Sequence, residues 1–425
     1  MTECGIPGGR ASDLTFLKEE NKIRSSSLFN YRSKFLRKGG GEMKHRAGVV
    51  GIVLVCALAF GVSAQAADPK EFRIGAVLPM TGAGAWYGQV MSQGCLTAID
   101  EINAKGGIDG IKFKVVIEDH QSGSGAAAIN GFNKLVNVDK VPFSLTSYTQ
   151  ATLSIIPVAD EKHILLINGG GTGPKLVKAS PYLFNNRMLS TMHGVGVIQR
   201  AKERGFKKMA SLYWNDDAGL GLQKYIEPRW KTMGGTVVAS EGHPIGATDY
   251  RPYLSKIMAS DPDFLALWQW GKDWGVAVKQ AREMGFNKPV LGIEFTPDAA
   301  KLAGATADGY EAVTDFFDPK SNDPWAKGFV ANYKAKTGKE PEFYAANFYE
   351  AVYTLTELIK KAKVKGGDWW NGKVLRDVLV EVKKFPSVYG GYVEFNPEDG
   401  TCKKKTALFV VKNAEAVFQN YVEIK

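Results

Sequence analysis

At 425 residues the chain is too long for one small core and predicts two domains or lobes. Its hydrophobic content of 44% and aromatic content of 11% are ordinary for a soluble globular protein. The net charge of +10 does not point to nucleic acid: residues 1–66 hold 10 Lys/Arg against 5 Asp/Glu, leaving +5 for the remainder, and no basic run exceeds the three lysines at 403–405.

The N-terminus reads as an address. Lys44, His45 and Arg46 form a positive n-region, 47–62 is an uncharged apolar run, and Ala64-Gln65-Ala66 is a small-x-small cleavage site. The run is short for a membrane span of about 20 residues. A signal peptide over 43–66, cleaved after Ala66, is therefore expected. Residues 1–42 would make an unusually long n-region, and translation from Met43 is the expected start. Cys56 follows Val55 where a lipoprotein needs a small residue, so lipidation is not expected. The mature chain keeps Cys95 and Cys402, which could pair in an oxidising compartment. Cys95 falls on the apolar face of a helix, which favours a free thiol.

The stretch 71–102 reads as a buried strand at 72–78, a glycine-rich turn and a helix from Tyr87. Met91, Cys95, Ala98, Ile99 and Ile102 fall on one helical face. Strand 111–119, helix 126–138, strand 141–145, a helix to Lys162 and strand 163–167 continue the alternation. The pattern restarts near Phe184. Strands at 208–213, 236–240, 264–270 and 289–292 alternate with helices at 220–233, 250–259 and 274–284. Three helices (324–336, 344–362, 370–382) and short strands at 391–395, 407–411 and 417–424 close the chain. This alternation predicts parallel sheets covered on both faces. It occurs twice, so the fold class is α/β: two doubly wound lobes with crossovers near 187, 317 and 402. The predicted lobes are 67–187 plus 318–402, and 188–317 plus 403–425. Ligands of such sheets sit beyond the carboxyl ends of the strands.

Enzyme and cofactor signatures are missing from those turns. Gly82-Ala83-Gly84-Ala85-Trp86-Tyr87-Gly88 is one residue too long for a dinucleotide fingerprint, and the next acids, Glu118 and Asp119, come too late. There is no G-x-S-x-G, P-loop or H-E-x-x-H, and His120, His163, His193 and His243 show no metal spacing. No catalytic residue, cofactor or metal is expected. Small and polar residues at strand ends stand out instead. Thr146 and Ser147 precede a helix whose free N–H groups can receive a carboxylate, although plain N-capping explains them as well. Gly170, Gly171 and Thr172 offer exposed backbone and a hydroxyl, or a surface loop. Trp268, Trp270 and Trp274 concentrate indoles that could equally be core. Glu294 follows a buried strand, suited to an ammonium or simply solvated.

Pro79-Met80-Thr81-Gly82 with Tyr87-Gly88, the run 98–108 (AIDEINAKGGI), 171–176 (GTGPKL) and 279–282 (KQAR) resemble the substrate-binding proteins of branched-chain (Leu/Ile/Val) amino-acid ABC transporters. The resemblance spans nearly the whole mature chain. It implies a hinged type I periplasmic binding fold of Venus-flytrap form, without catalytic activity. The expected partners are a small ligand and an inner-membrane permease with its ATPase, the expected place is the periplasm, and the expected state is a monomer. It further implies that Thr146 and Ser147 cradle an α-carboxylate, aided by Gly170 and Thr172. Thr172 also meets the α-ammonium, and Glu294 pairs with it across the cleft. Trp270 takes the place of a closing-lobe tyrosine, and Tyr87 and Tyr344 line the side-chain pocket. Two departures stand out. Ala218 replaces an aromatic, and Asp119–Gln121 and Leu145 carry no cysteine for the disulfide of some members. They leave open an aromatic carboxylate, an amide or urea as ligand. A periplasmic sensor on the same fold, and an enzyme, are the rival classes.

Overall fold

The computed structural model describes residues 68–424. The predicted start, signal peptide and cleavage site lie outside the described residues. The first sheet comprises β1 (Glu71–Leu78), β2 (Lys112–Asp119), β3 (Phe143–Thr146), β4 (Leu165–Asn168) and β5 (Leu183–Asn185). The second comprises β6 (Lys208–Trp214), β7 (Thr236–His243), β8 (Phe264–Trp268), β9 (Val290–Gly292) and β10 (Glu311–Asp315), with β14 (Thr406–Lys412) and β15 (Glu415–Tyr421) added at one edge. The first sheet runs β2-β1-β3-β4-β5, all parallel. The parallel part of the second runs β7-β6-β8-β9-β10, the same order. One topology is thus used twice, and β14 and β15 join it antiparallel.

The helices α1 (Ala85–Ala104), α2 (Gly125–Asn137) and α3 (Thr149–Lys162) belong to the first repeat. In the second lie α4 (Ser190–Glu203), α5 (Asp217–Thr232), α6 (Arg251–Ala259), α7 (Asp273–Glu283) and α8 (Pro297–Ala303). The chain then forms α9 (Pro324–Thr337), α10 (Phe343–Lys365) and α11 (Gly372–Val382). A small antiparallel sheet follows, of β11 (Lys384–Pro386), β12 (Tyr392–Phe395) and β13 (Cys402–Lys403). Central strands β3, β4, β8 and β10 are buried at every position, as a parallel sheet covered on both faces demands.

Several elements depart from the expectation. The strand β10, EAVTD, is not predicted because three of its five residues are polar. Its two acids are buried because helix α4 and the residue that caps it supply partners: Arg200 reaches Glu311 at 2.7 Å, Arg204 also pairs with it, and His193 approaches Asp315 at 3.3 Å. Helix α8 and strands β11 and β13 also go unpredicted, being short. The strand expected from His163 begins at Leu165, because His163 takes a left-handed conformation (φ 55°) that ends α3. Cys95 and Cys402 are both free and buried, and burial pushes each thiol up to about 12.

The chain leaves the first sheet for the second after β5, leaves the second after β10, and returns to it after β13 of the small sheet. Each passage carries a charged residue at or beside it, and each of these side chains is almost fully buried. Arg187 meets Asp315 at 2.9 Å, and Lys404 meets Glu350 of α10 at 2.7 Å. Lys404 also donates to Asn347 at 2.9 Å. Burial alone would raise the Asp315 carboxyl, but Arg187 and His193 hold it down to about 2.

Candidate functional site

A cavity lies where the carboxyl ends of both sheets converge. Tyr87 and Met91 reach it from α1, which follows β1. Tyr148 and Thr149 enter after β3, and Gly170, Gly171 and Thr172 after β4. The facing wall is Trp214, Asp216 and Ala218 after β6 and Trp270 after β8, while Tyr344 comes from the start of α10. These are the crevices that open beside the order reversals β2-β1-β3 and β7-β6-β8. The cavity measures about 30 Å³.

Local chemistry fixes each wall. A Cβ on Gly88 would lie 2.3 Å from the Pro79 carbonyl oxygen, so only glycine lets α1 start against the strand-end turn and present Tyr87. A Cβ on Gly170 would lie 2.6 Å from Met91 Cε and 2.8 Å from Ser147 Cβ. Asn168, at the end of β4, organises the glycine turn. Its Oδ1 accepts from Gly170 N at 3.2 Å and Gly171 N at 2.7 Å, and its Nδ2 donates to Gly171 O at 2.8 Å. Those two N–H groups are therefore already used. Thr172 turns its carbonyl to Ser190, accepting from both N and Oγ at 2.9 Å. Tyr148 holds φ 58°, a costly region for a residue with a Cβ, and its buried hydroxyl has no partner.

Five of the eight predicted residues, Tyr87, Gly170, Thr172, Trp270 and Tyr344, line the cavity. The other three lie one layer behind. Thr146 Oγ1 bonds to Thr152 Oγ1 at 3.0 Å, inside the first turn of α3. Ser147 Oγ lies 3.0 Å from His120 Nε2. Because Gly123 N donates to His120 Nδ1 at 2.9 Å, Nε2 carries the ring proton and donates to Ser147. The serine keeps its own proton to donate. Burial pushes His120 down to about 4, so the ring is neutral.

Glu294, just beyond β9, is fully buried. Its Oε1 accepts from Tyr87 Oη at 3.2 Å and Gly271 N at 3.3 Å, and its Oε2 from Tyr344 Oη at 3.2 Å. Burial pushes its carboxyl up to about 8, against the opposing influence of the Arg187 charge and these donors. Arg187 stacks 4.9 Å over the Tyr344 ring and donates to Gly170 O at 3.4 Å, so a buried chain links Asp315, Arg187, Tyr344 and Glu294.

Sequence reasoning missed Tyr148, Asn168, Asp216 and Arg187. Asn168 had a signal, a polar residue ending a buried strand before three glycines. Asp216 caps α5, accepting from Gly219 N at 2.8 Å, and burial pushes it up to about 6. Of the clustered indoles only Trp270 lines the cavity, 5.1 Å from Trp214. Trp268 is buried in the sheet and Trp274 stacks on Tyr310 at 4.5 Å, both as core. Among the described residues no group of three or more His, Cys, Asp or Glu is placed to hold a metal ion. No described helix is long and apolar enough to cross a membrane.

Residues 71–416 match the family described as periplasmic binding protein. The leucine-specific-binding protein of Salmonella typhimurium is 26% identical over 365 residues, covering 81% of this chain and 95% of that protein. The leucine-, isoleucine-, valine-, threonine- and alanine-binding protein of Pseudomonas aeruginosa is 26% identical over 313 residues, covering 71% and 81%. Among solved structures, the branched-chain amino acid transporter substrate-binding protein of Streptococcus pneumoniae, in complex with isoleucine, superposes with a TM-score of 0.75 at 28% identity, covering 83% of this chain and 99% of that one. A solute-binding protein from R. palustris in complex with benzoate has the same fold, with a TM-score of 0.74 at 19% identity, covering 83% and 96%.

Proposed function

The chain belongs to the periplasmic binding protein family and is a solute-binding protein of an ABC transporter, and from that premise we propose that it carries a small branched-chain or hydrophobic amino acid. Its family binds without catalysing a reaction. The single observation that carries the proposal is Glu294: a fully buried carboxyl beyond β9, held by the hydroxyls of Tyr87 and Tyr344, which line the same cavity as Thr149 of the first turn of α3. An amino acid has the two complementary charges. Its carboxylate takes the free N–H groups at the start of α3 and the Ser147 proton. Its ammonium enters between Tyr87 and Tyr344, meets Thr172 and displaces their hydroxyls from Glu294. The leucine of the Salmonella protein, the aliphatic amino acids of the Pseudomonas protein and the isoleucine bound to the Streptococcus protein support this assignment.

The lobes we assign are 67–187 plus 318–402 and 188–317 plus 403–425. Ligand docks on the first lobe, and rotation about the passages beside Arg187, Asp315 and Lys404 buries it under Trp270. The protein is made from Met43, exported, cleaved after Ala66, and acts as a monomer that delivers its ligand to an inner-membrane permease with its ATPase. N-terminal sequencing of the periplasmic form checks the processing.

A second reading has its own observation. With three donors already on its oxygens, Glu294 is satisfied without an ammonium, which suits an aromatic carboxylate. Calorimetric titration of the 67–425 chain, refolded to strip bound ligand, with leucine, phenylalanine, benzoate and urea separates the two. Amino-acid binding lost in Glu294→Gln supports the first reading. Benzoate binding that persists in Glu294→Gln moves the protein to the second, and binding of urea alone overturns both.

A further inference from the structure

Beside the cavity lies a second, larger space of about 220 Å³ that shares Tyr87, Tyr148, Trp214 and Trp270 as a common wall. Trp86, Ile245 and Leu302 extend that wall with apolar surface from both lobes. Leu302 keeps 43% of its surface exposed. Apart from the Tyr148 hydroxyl, which has no partner, the buried polar groups around the chamber are already bonded. Asp273 accepts from Trp214 Nε1 at 2.9 Å and from Gly246 N at 2.8 Å, and Thr296 Oγ1 donates to Gly271 O at 3.5 Å. Lys272 and Asp298, the remaining charged lining residues, are exposed. An occupant therefore finds aromatic faces and a single unmet hydrogen-bonding group, the Tyr148 hydroxyl, so a mainly polar occupant would lose its water with little compensation.

The volumes decide which part of a ligand goes where. A cavity of roughly 150 Å³ lined by apolar side chains takes up benzene. The inner cavity, at about 30 Å³, holds no more than a head group, whereas the outer one exceeds what a phenyl ring needs. Resting on the proposed carboxylate reading, we infer that the outer chamber is a subsite for an aromatic ring, so that the ligand is an amino acid or acid bearing an aryl group. Trp86, Trp214 and Trp270 stack on it, and Leu302 closes over its edge.

The test uses three pairs with a constant head group: leucine and phenylalanine, isovalerate and phenylacetate, isovaleramide and benzamide. Each is titrated calorimetrically into the 67–425 chain, and into Trp86→Ala and Leu302→Arg, which alter exposed or half-exposed side chains. Thermal melting confirms that both variants fold. The expected result is that the aryl member of whichever pair binds is at least tenfold tighter, and that each variant cuts this ratio fivefold or more. An aliphatic member that binds as tightly, or a ratio that both variants leave intact, overturns the aryl subsite. Binding confined to the amide pair overturns the carboxylate reading while the ratio within that pair still judges the subsite. Absence of binding in all pairs overturns both.

Discussion

Tyr87 and Glu294 meet across the cleft: the tyrosine hydroxyl, carried by the first helix, donates to a carboxyl oxygen beyond the fourth strand of the other sheet at 3.2 Å. This bond joins the lobes only when they are closed. Tyr87→Phe removes one donor from a buried acid, a loss of about 1–3 kcal/mol. The expected outcome is a more open ligand-free protein, read as a larger radius of gyration by small-angle X-ray scattering, with the ligand restoring the compact form.

The buried pair at the hinge predicts an asymmetric response. Arg187→Met leaves Asp315 buried without its main counter-charge, which costs about 3–5 kcal/mol of stability. Adding Asp315→Asn to that variant recovers part of the loss. Urea unfolding of the two variants and the wild type measures both steps.

Asp315 also sets an acid limit. Its carboxyl, held down to about 2 by Arg187 and His193 despite burial, binds fewer protons folded than unfolded. The stability it contributes is present above the ordinary carboxylate range near pH 3.9 and is lost as pH falls towards 2. His120 acts earlier. Burial holds it neutral down to about pH 4, while the unfolded ring titrates near 6.5. Its contribution therefore declines as pH falls from 6.5 towards 4. His243, also pushed down to about 4 by burial, shares this window, so unfolding free energy followed from pH 7 to 3 should slope downward in two stages, and His120→Gln should make the first shallower without abolishing it.

Ser147→Ala removes the one hydroxyl whose proton His120 leaves free. A hydrogen bond to a charged group is worth about 1.5–3 kcal/mol, or about 10- to 150-fold in affinity. Titration of a carboxylate ligand should show that loss, and thermal melting a lower stability, because the buried His120 Nε2–H loses its acceptor at a cost of about 1–3 kcal/mol.

The α/β class was legible because central parallel strands such as FSLT and FLALW are buried end to end, and glycines mark the turns after them. Tyr87, Gly170, Thr172, Trp270 and Tyr344 follow from strand ends and resemblance, and all five line one cavity. What stayed hidden depends on partners far away in sequence. EAVTD reads as a loop until Arg200 and Arg204 pair with Glu311 and Arg187 pairs with Asp315. Arg187 shows no signal of its own, because its partners Asp315 and Tyr344 are brought to it only by the finished fold. The unusual backbone that aims Tyr148 into the cleft is likewise invisible in residue type. Glu294 was legible as an acid after a buried strand, but its bonds to Tyr87 and Tyr344, distant in sequence, were not.

The most direct test of the central claim is the affinity of one variant. Glu294 is fully buried, and burial pushes its carboxyl up to about 8. An ammonium placed beside it favours the charged carboxylate, and Glu294→Gln removes that counter-charge. Calorimetric titration of phenylalanine at pH 7 should show binding weakened about a hundredfold or more in Glu294→Gln, with thermal melting confirming that the variant folds. Phenylalanine binding as tight in Glu294→Gln as in the wild type would contradict the role of Glu294 as the reader of the ligand's ammonium.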